Sequence, residues 1–332
     1  MRALVTGGGG FLGKSLVCLL LERGWQVRSF SRNAYESLRA LGVEQATGDL
    51  ADASAVERAA EGCDLVFHVA AKAGVWGAYE EYYAANVTGT ENVLAACRRH
   101  GIRRLVHTSS PSIVFDGTDM EGVDERVPYP RHYEAAYPET KAMAERLVLG
   151  ANSAELATVA LRPHLIWGPE DNHIVPRILA RGRAGKLRRI GTRPCLVDSV
   201  YIDNAAAAHV QAAERLAPGS AVAGKAYFIT NGEPIPLWDL VNKILAADNL
   251  PPVTRTIPPA AAYAAGFLIE NVFRLLRLPG EPPMTRFVAR ELSTAHWFDI
   301  SAARHDFGYH PAVTIEEGIR RLAAWLAGTG AR

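Results

Sequence analysis

Apolar and polar positions follow two different rhythms in the two parts of the chain. Up to about residue 163, short runs rich in Val, Leu and Ala alternate with longer stretches whose apolar positions recur every three to four residues. The short runs predict strands over 2–6, 26–30, 43–47, 64–69, 103–108 and 156–161. The longer stretches predict helices over 11–23, 34–41, 53–60, 81–99 and 133–150. In the first helix Leu12, Leu16, Leu19 and Leu20 fall on one face, and Gly24 stops it. Brief strands, apolar throughout and separated by helices, imply a parallel sheet covered on both faces. Right-handed crossovers then give an α/β fold with a doubly wound (Rossmann) sheet, whose ligand crevice lies at the carboxyl ends of the strands.

Beyond residue 163 the rhythm loosens, and prolines recur from Pro163 to Pro311. The expected organisation is a dinucleotide-binding domain over 1–163 and a smaller substrate-binding region over 164–330. Segments 196–210 and 225–230 are expected to return to the edge of the first domain. A last amphipathic helix is expected over Ile315 to Leu326, with fraying over Gly328 to Arg332. The stretch Ala260 to Leu278 is apolar through Ile269, then broken by Glu270, Asn271, Arg274 and Arg277. That falls short of the roughly 18 uninterrupted apolar residues of a membrane span. A buried or lid-forming helix is expected there, with a helix lying on a membrane surface as the alternative.

Composition narrows the class. With 332 residues, 48% of them hydrophobic, and 36 Lys+Arg against 35 Asp+Glu, the chain describes an ordinary soluble protein with no electrostatic case for nucleic acid. The basic run from Arg181 to Arg189 is either a solvated helix end or a contact for an anionic ligand. Cys18, Cys63, Cys97 and Cys195 lack paired spacing, so neither a metal site nor a disulfide is expected. A strand and a glycine loop stand where a secretory leader would, and a cytoplasmic location is expected.

The candidate chemistry starts at Gly7-Gly-Gly-Gly10-Phe11-Leu12-Gly13, between the first strand and the first helix. In that context Gly7 allows the tight turn, Gly10 the approach of backbone to a pyrophosphate, and Gly13 close packing of helix on sheet. Amides at the helix start would face the phosphates. No carboxylate stands at the end of the second strand, which reads Val27-Arg28-Ser29-Phe30-Ser31-Arg32. Ser31 tolerates a 2′-phosphate and Arg32 can pair with one, unless Arg32 merely faces solvent; NADP(H) is therefore expected in preference to NAD(H). Asp49 and Leu50 are candidates for the adenine, and Ala70 and Ala71 leave room for adenosine and ribose. Downstream, Tyr137 and Lys141 are four apart and share a helix face. An ammonium beside a phenol, whose ordinary pKa is about 10, brings it toward a range useful for proton transfer.

These pieces, together with Gly48-Asp49-Leu50, His68-Val69-Ala70-Ala71, Asn86-Val-Thr-Gly89-Thr90, His107-Thr-Ser109-Ser110, Leu161-Arg162-Pro163 and Trp167-Gly168-Pro169, resemble the extended short-chain dehydrogenase/reductase superfamily. Within it the resemblance is to the 3β-hydroxysteroid dehydrogenase/isomerase-like family. It implies that Tyr137 is the general acid, that Lys141 holds the nicotinamide ribose and lowers the phenol's pKa, and that Ser110 orients the carbonyl. It further implies that Asn86 helps hold the lysine through a water molecule, and that Phe11, Leu12 and Pro163 join the cofactor contacts. His68 to Gly74 and Trp76-Gly77 resemble a bacterial branch acting on β-keto acids in long-chain olefin biosynthesis.

The implied reaction is reduction of a long-chain 2-alkyl-3-oxoalkanoic acid to its 3-hydroxy acid, with a 3β-hydroxysteroid or a sugar nucleotide as alternative substrates. A catalytically silent nucleotide-binding regulator is the alternative of another class, although both Tyr137 and Lys141 are present. Expected pocket walls are Lys72 to Tyr83, Pro111 to Phe115, His164 to His173 and Tyr263 to Phe273, with Trp76, Tyr79, Trp167, Phe267, Ile269, Val272 and Phe273 favouring a large apolar substrate. Lys72, His164, His173 and Arg177 are unranked candidates for its carboxylate. A homodimer is one expected partner, and the resemblance implies assembly with other olefin-pathway enzymes.

Overall fold

The computed structural model describes residues 1–330. Seven strands form one parallel sheet, in which the central strands are buried on both faces and the edge strand over Glu44–Thr47 is not. β1 (Arg2–Thr6), β2 (Gln26–Ser31) and β3 (Glu44–Thr47) run outward to one side, joined by α1 (Phe11–Glu22) and α2 (Glu36–Ala40). After α3 (Ala53–Ala60) the chain returns to the other side of β1 as β4 (Leu65–His68). β4 reads Leu-Val-Phe-His and is buried at every position, the pattern of a strand covered on both faces.

The next helix is irregular. α4 (Tyr79–Tyr82) passes through a π-helical segment over Tyr83–Thr88 into α5 (Gly89–Arg99), where the sequence predicts one continuous helix. The widened turn carries Asn86, whose side chain is held by the backbone of Lys72 and by Thr140. β5 (Arg104–Thr108) follows, then the short β6 (Met120–Val123), α6 (Ala136–Gly150) and β7 (Ala157–Pro163). α6 begins three residues later than the predicted 133, because Ala135 is extended.

The second half adds β8 (Ile166–Trp167), α7 (Ile174–Arg183), β9 (Arg189–Ile190), β10 (Leu196–Val197), β11 (Val200–Tyr201) and α8 (Ile202–Arg215). β12 (Lys225–Ile229) then joins β7 as the last strand of the main sheet, giving the order β12-β7-β5-β4-β1-β2-β3. β13 (Ile235–Pro236), α9 (Leu237–Ala247), β14 (Thr256–Ile257), α10 (Pro259–Leu275), α11 (Arg286–Glu291), β15 (His296–Phe298), α12 (Ser301–Phe307) and α13 (Ile315–Gly330) complete the chain. A smaller sheet, β13-β10-β15-β6, draws Met120–Val123 of the first half into the second. α13 continues past the expected end at Leu326 to Gly330; of the expected frayed end, Ala331 and Arg332 lie outside the described residues.

α6 carries Tyr137 and Lys141, and it is fastened to β7 by a buried ion pair. Arg162 Nε donates to Glu145 Oε2 at 3.0 Å and Arg162 Nη2 to Oε1 at 2.6 Å, while Tyr129 donates to Oε1 at 2.7 Å. Removing one partner of such a pair leaves an uncompensated buried charge. Glu145→Ala is expected to lower stability by about 3–5 kcal/mol, read as a fall in melting temperature. A change within the range of an exposed ion pair, below about 1 kcal/mol, would show that α6 is held by other contacts.

Candidate active site

The turn after β1 is shaped by atoms that leave no space for side chains. Gly7 has φ +72°, and its amide donates to Phe30 O at 2.7 Å, tying the turn to β2. A Cβ at Gly13 would stand 2.0 Å from Gly7 O, so only glycine lets α1 start this close to the turn. Gly10 caps α1 without any side-chain hydrogen bond. The first amides of the helix therefore lack a side-chain cap, and the positive end of its dipole suits an anion.

These amides open onto a cavity of about 680 Å³ at the crevice between β1 and β4, where the strand order reverses. Its lining includes Gly7, Gly10, Phe11, Leu12, Gly13, Ser31, Arg32, Asp49, Leu50, Ala70, Ala71, Tyr137 and Lys141, most of the residues singled out from the sequence. Ser31 Oγ and Ser109 Oγ are buried there without a protein partner, as expected where a polar ligand supplies the missing hydrogen bonds. Thr6 Oγ1 joins the two strand tips: it lies 2.9 Å from His68 Nδ1 and accepts from Ala70 N at 3.1 Å.

Three predicted residues stand elsewhere. Pro163 does not line the cavity; it is buried at the end of β7, paired in register with Ile229. Asn86 is also behind the wall: its Oδ1 accepts from Lys72 N at 2.7 Å and its Nδ2 donates to Thr140 Oγ1 at 3.0 Å, so it fastens the loop after β4 to α6. Ser110 lies just outside the cavity lining, with its hydroxyl 2.9 Å from Ser112 Oγ.

Tyr137 is in the first turn of α6 and Lys141 one turn on. Burial pushes the phenol's pKa up, its hydrogen bond with Ser110 pulls it back, and Glu291 raises it further. The expected lowering of the phenol by the ammonium is thus not the governing effect here. Lys141 Nζ donates to Thr108 O at 2.6 Å and lies 3.2 Å from His107 Nε2. Behind the lysine are three histidines that burial keeps neutral: His68, lowered to about 3, His209, lowered to about 4, and His107, also pushed well down. Their sequence signal was present in His68-Val-Ala-Ala and His107-Thr-Ser-Ser, but periodicity alone could not assign them to the lysine.

A second hollow, of about 740 Å³, lies by the start of α6, where Ala136 lines it and the next residue, Tyr137, lines the first cavity. It is walled by Val75 to Tyr79, Tyr82 and Glu134 to Ala136, by Glu270, Phe273, Arg274, Arg277 and Leu278 of α10 and its exit, and by Thr285 and Phe287. Two of the expected walls meet here: the Trp76 and Phe273 rings pack edge to face at 6.2 Å, with Arg274 over Trp76 at 5.3 Å. The other two do not. Trp167 is buried and donates to Ser199 Oγ, and Phe115 packs on Phe287 within the core.

The carboxylate candidates are likewise spread out. His164 is buried against His296 at 2.7 Å, Lys72 pairs with Glu81, Arg177 pairs with Glu281, and His173 lines the first cavity. Arg274 and Arg277, which interrupt the apolar stretch and are not among the carboxylate candidates, are the cations of the second hollow.

Known proteins resemble this chain along its whole length. The sequence profile of the 3-beta hydroxysteroid dehydrogenase/isomerase family matches residues 4–258. A 2-alkyl-3-oxoalkanoate reductase of Stenotrophomonas maltophilia is 56% identical, covering 98% of this chain and 99% of the relative. Its counterpart in Shewanella oneidensis is 52% identical, covering 98% and 86%. The UDP-glucose 4-epimerase of Thermus thermophilus, solved in complex with NAD, superposes with a TM-score of 0.75 at 26% identity, covering 99% of each chain.

That complex corrects the expectation of an NADP(H) preference, since the related fold holds NAD. The physical reason is that a missing carboxylate removes a repulsion without creating a requirement. The Ser31 hydroxyl can bond a ribose hydroxyl as well as a phosphate, and Arg32 is exposed.

Lys141 offers a test of the site's electrostatics. Burial lowers it from an ordinary 10.5 to about 7. Between those values the unfolded chain binds more protons than the folded one, so this group makes stability rise with pH; below about 7 both states are protonated and the full penalty is present. In the ligand-free protein, Lys141→Met should melt above wild type near pH 6, and the gain should shrink as pH climbs from about 7 toward 10. Thermal melts across that series check it; a pH-independent offset would mean that Lys141 titrates normally.

Proposed function

The chain belongs to the 3-beta hydroxysteroid dehydrogenase/isomerase family, and from that membership we propose that its cleft reduces the 3-keto group of a long-chain 2-alkyl-3-oxoalkanoic acid to the 3-hydroxy acid. It is an oxidoreductase acting on the alcohol–ketone pair. The observation that carries the reading is the first cavity, which the glycine turn after β1 and the Tyr137/Lys141 face of α6 line together.

The residues present fit a nicotinamide dinucleotide. The uncapped amides of Phe11 to Gly13 would meet its pyrophosphate, Ser31 and Arg32 the adenosine ribose, Asp49 and Leu50 the adenine, and Lys141 the nicotinamide ribose. When bound, that cofactor supplies the hydride that reduces the ketone carbon. Tyr137 gives its proton to the carbonyl oxygen; burial, which raises its pKa, keeps that proton in place until it is needed. Ser110, bonded to the phenol, orients the same oxygen. Lys141 keeps its position through Thr108 O and His107, and Asn86 acts at one remove by fixing Lys72 and Thr140.

Two outcomes test the reading. Tyr137→Phe should leave dinucleotide binding nearly intact while turnover falls by about a hundredfold or more, the contribution of a general acid. Titration of the purified variant and steady-state rates separate the two; near wild-type turnover would remove Tyr137 from the mechanism.

The substrate is tested in the oxidative direction, where the 3-hydroxy acid is the stable partner. A panel of 2-alkyl-3-hydroxy acids, a 3β-hydroxysteroid and a UDP-sugar is incubated with oxidised cofactor. Efficiency should climb about fourfold per added methylene until the groove is filled, from roughly 0.8 kcal/mol per buried CH₂. Preference for the steroid, or indifference to chain length, would refute the keto-acid assignment. Epimerisation gives no net cofactor signal, so the UDP-sugar sample is also analysed for product.

A further inference from the structure

α10 is turned the wrong way round for a helix on a globular surface. The positions it buries are Ala262, Gly266 and Glu270, and the Glu270 carboxylate is bound by Arg286 through both its amide and its guanidinium. A Cβ at Gly266 would lie 2.7 Å from the Thr285 backbone, so the helix sits directly on the start of α11 and its orientation is set by backbone contact. The outward positions are then Ala261, Ala264, Ala265, Leu268, Val272 and Leu275, with Asn271 as the polar exception. Leu268, Leu275 and Leu276 are 63%, 82% and 62% exposed. Among the described residues, six of the ten large apolar side chains left in solvent fall between Phe267 and Leu278, so the exposure is concentrated and not scattered.

Charge narrows the occupant. From Thr256 to Gly280 the only carboxylate is Glu270, which is buried, whereas Arg274 and Arg277 are exposed at the end of the apolar face. A two-fold contact with a second copy would set these arginines beside the same pair, with no exposed carboxylate in the segment to receive them. The next carboxylate along the chain, Glu281, is paired with Arg177, which leaves the charge of the two arginines beside the stripe. An apolar stripe with net positive charge at its end is the pattern of a helix lying at the surface of an anionic bilayer. No helix among the described residues is long and apolar enough to cross a membrane, which restricts the contact to one leaflet.

The face is also continuous with the second hollow, since Phe273, Arg274, Arg277 and Leu278 line it and adjoin Leu275 and Leu276. We infer that the outward face of α10 docks on an anionic lipid bilayer, placing the mouth of the hollow against the membrane. An apolar chain then passes from bilayer to groove without crossing water. The docking rests on the surface alone; the passage of substrate rests on the function proposed above.

The experiment is co-sedimentation of the full chain with vesicles of phosphatidylglycerol and phosphatidylethanolamine, beside vesicles of phosphatidylcholine. Wild type should pellet with the anionic vesicles and more weakly with the neutral ones, and less as added salt shortens the screening length. Leu268→Glu/Leu275→Glu should reduce binding by more than about tenfold. Neither residue lines a cavity, so this variant should turn over a short, soluble 3-hydroxy acid like wild type. If the glutamates prevent folding, Leu268→Ser/Leu275→Ser replaces them.

Failure of wild type to pellet with anionic vesicles overturns the inference, as does binding that the variants do not weaken. So does a sedimentation-velocity result in which the variants split a dimer while vesicle binding is absent, which would assign the face to a second copy. Vesicle binding without turnover of any acid would leave the docking standing and refute the substrate assignment.

Discussion

At the crevice between β1 and β4 two parallel strands end side by side, and the rest of the molecule depends on how their tips are held apart. Thr6 bridges the ring of His68 and the amide of Ala70. His68 reaches on to Thr90 at 3.0 Å, and Thr90 donates to Asn86 O at 2.6 Å. Burial keeps the His68 ring uncharged, so this chain of hydrogen bonds joins sheet to helix without placing a charge beside the glycine turn. The glycine turn works within the same constraint. With Gly13 pressed against Gly7, α1 begins at the crevice with its amides directed toward it.

A second set of buried polar contacts positions α6. The Glu145–Arg162 pair anchors its middle to β7, and Asn86 with Thr140 ties its first turn to the loop after β4. Lys141 lies between these anchors and Tyr137 three residues before the first, so their placement at the first cavity is governed by contacts that lie behind its wall. The lysine is the most exposed to this arrangement: its amine is almost entirely withdrawn from water and relies on one carbonyl and one neutral imidazole. Such a group is sensitive to whatever occupies the cavity, because each added hydrogen bond acts in a medium with little competing solvent.

The second half of the chain obeys a different rule. Its short strands and helices wrap the main sheet and leave one hollow by the start of α6, with aromatic walls and both arginines and glutamates in its lining. α10 follows the same logic from outside: a glutamate is turned inward to meet Arg286, and leucines are turned outward. An inverted helix is tolerated because the packing of Gly266 on Thr285 and the buried ion pair together hold it against the pull of its own apolar face.

Much of the dinucleotide half could be read from sequence, since local rules dominate there. The run of four apolar residues in β4, the glycine spacing after β1 and the four-residue step from Tyr137 to Lys141 each specify local geometry whatever surrounds them. The solved complex with NAD shows the limit of that reading: a residue absent from the end of β2 did not determine the cofactor. Contacts between distant segments had no such signature. That His107 supports Lys141, that Asn86 holds Lys72, that Trp167 and His164 belong to the core, and that α10 faces outward depends on which surfaces meet after folding. Periodicity reports that a helix has an apolar side; only the packing of the rest of the chain decides whether that side is covered.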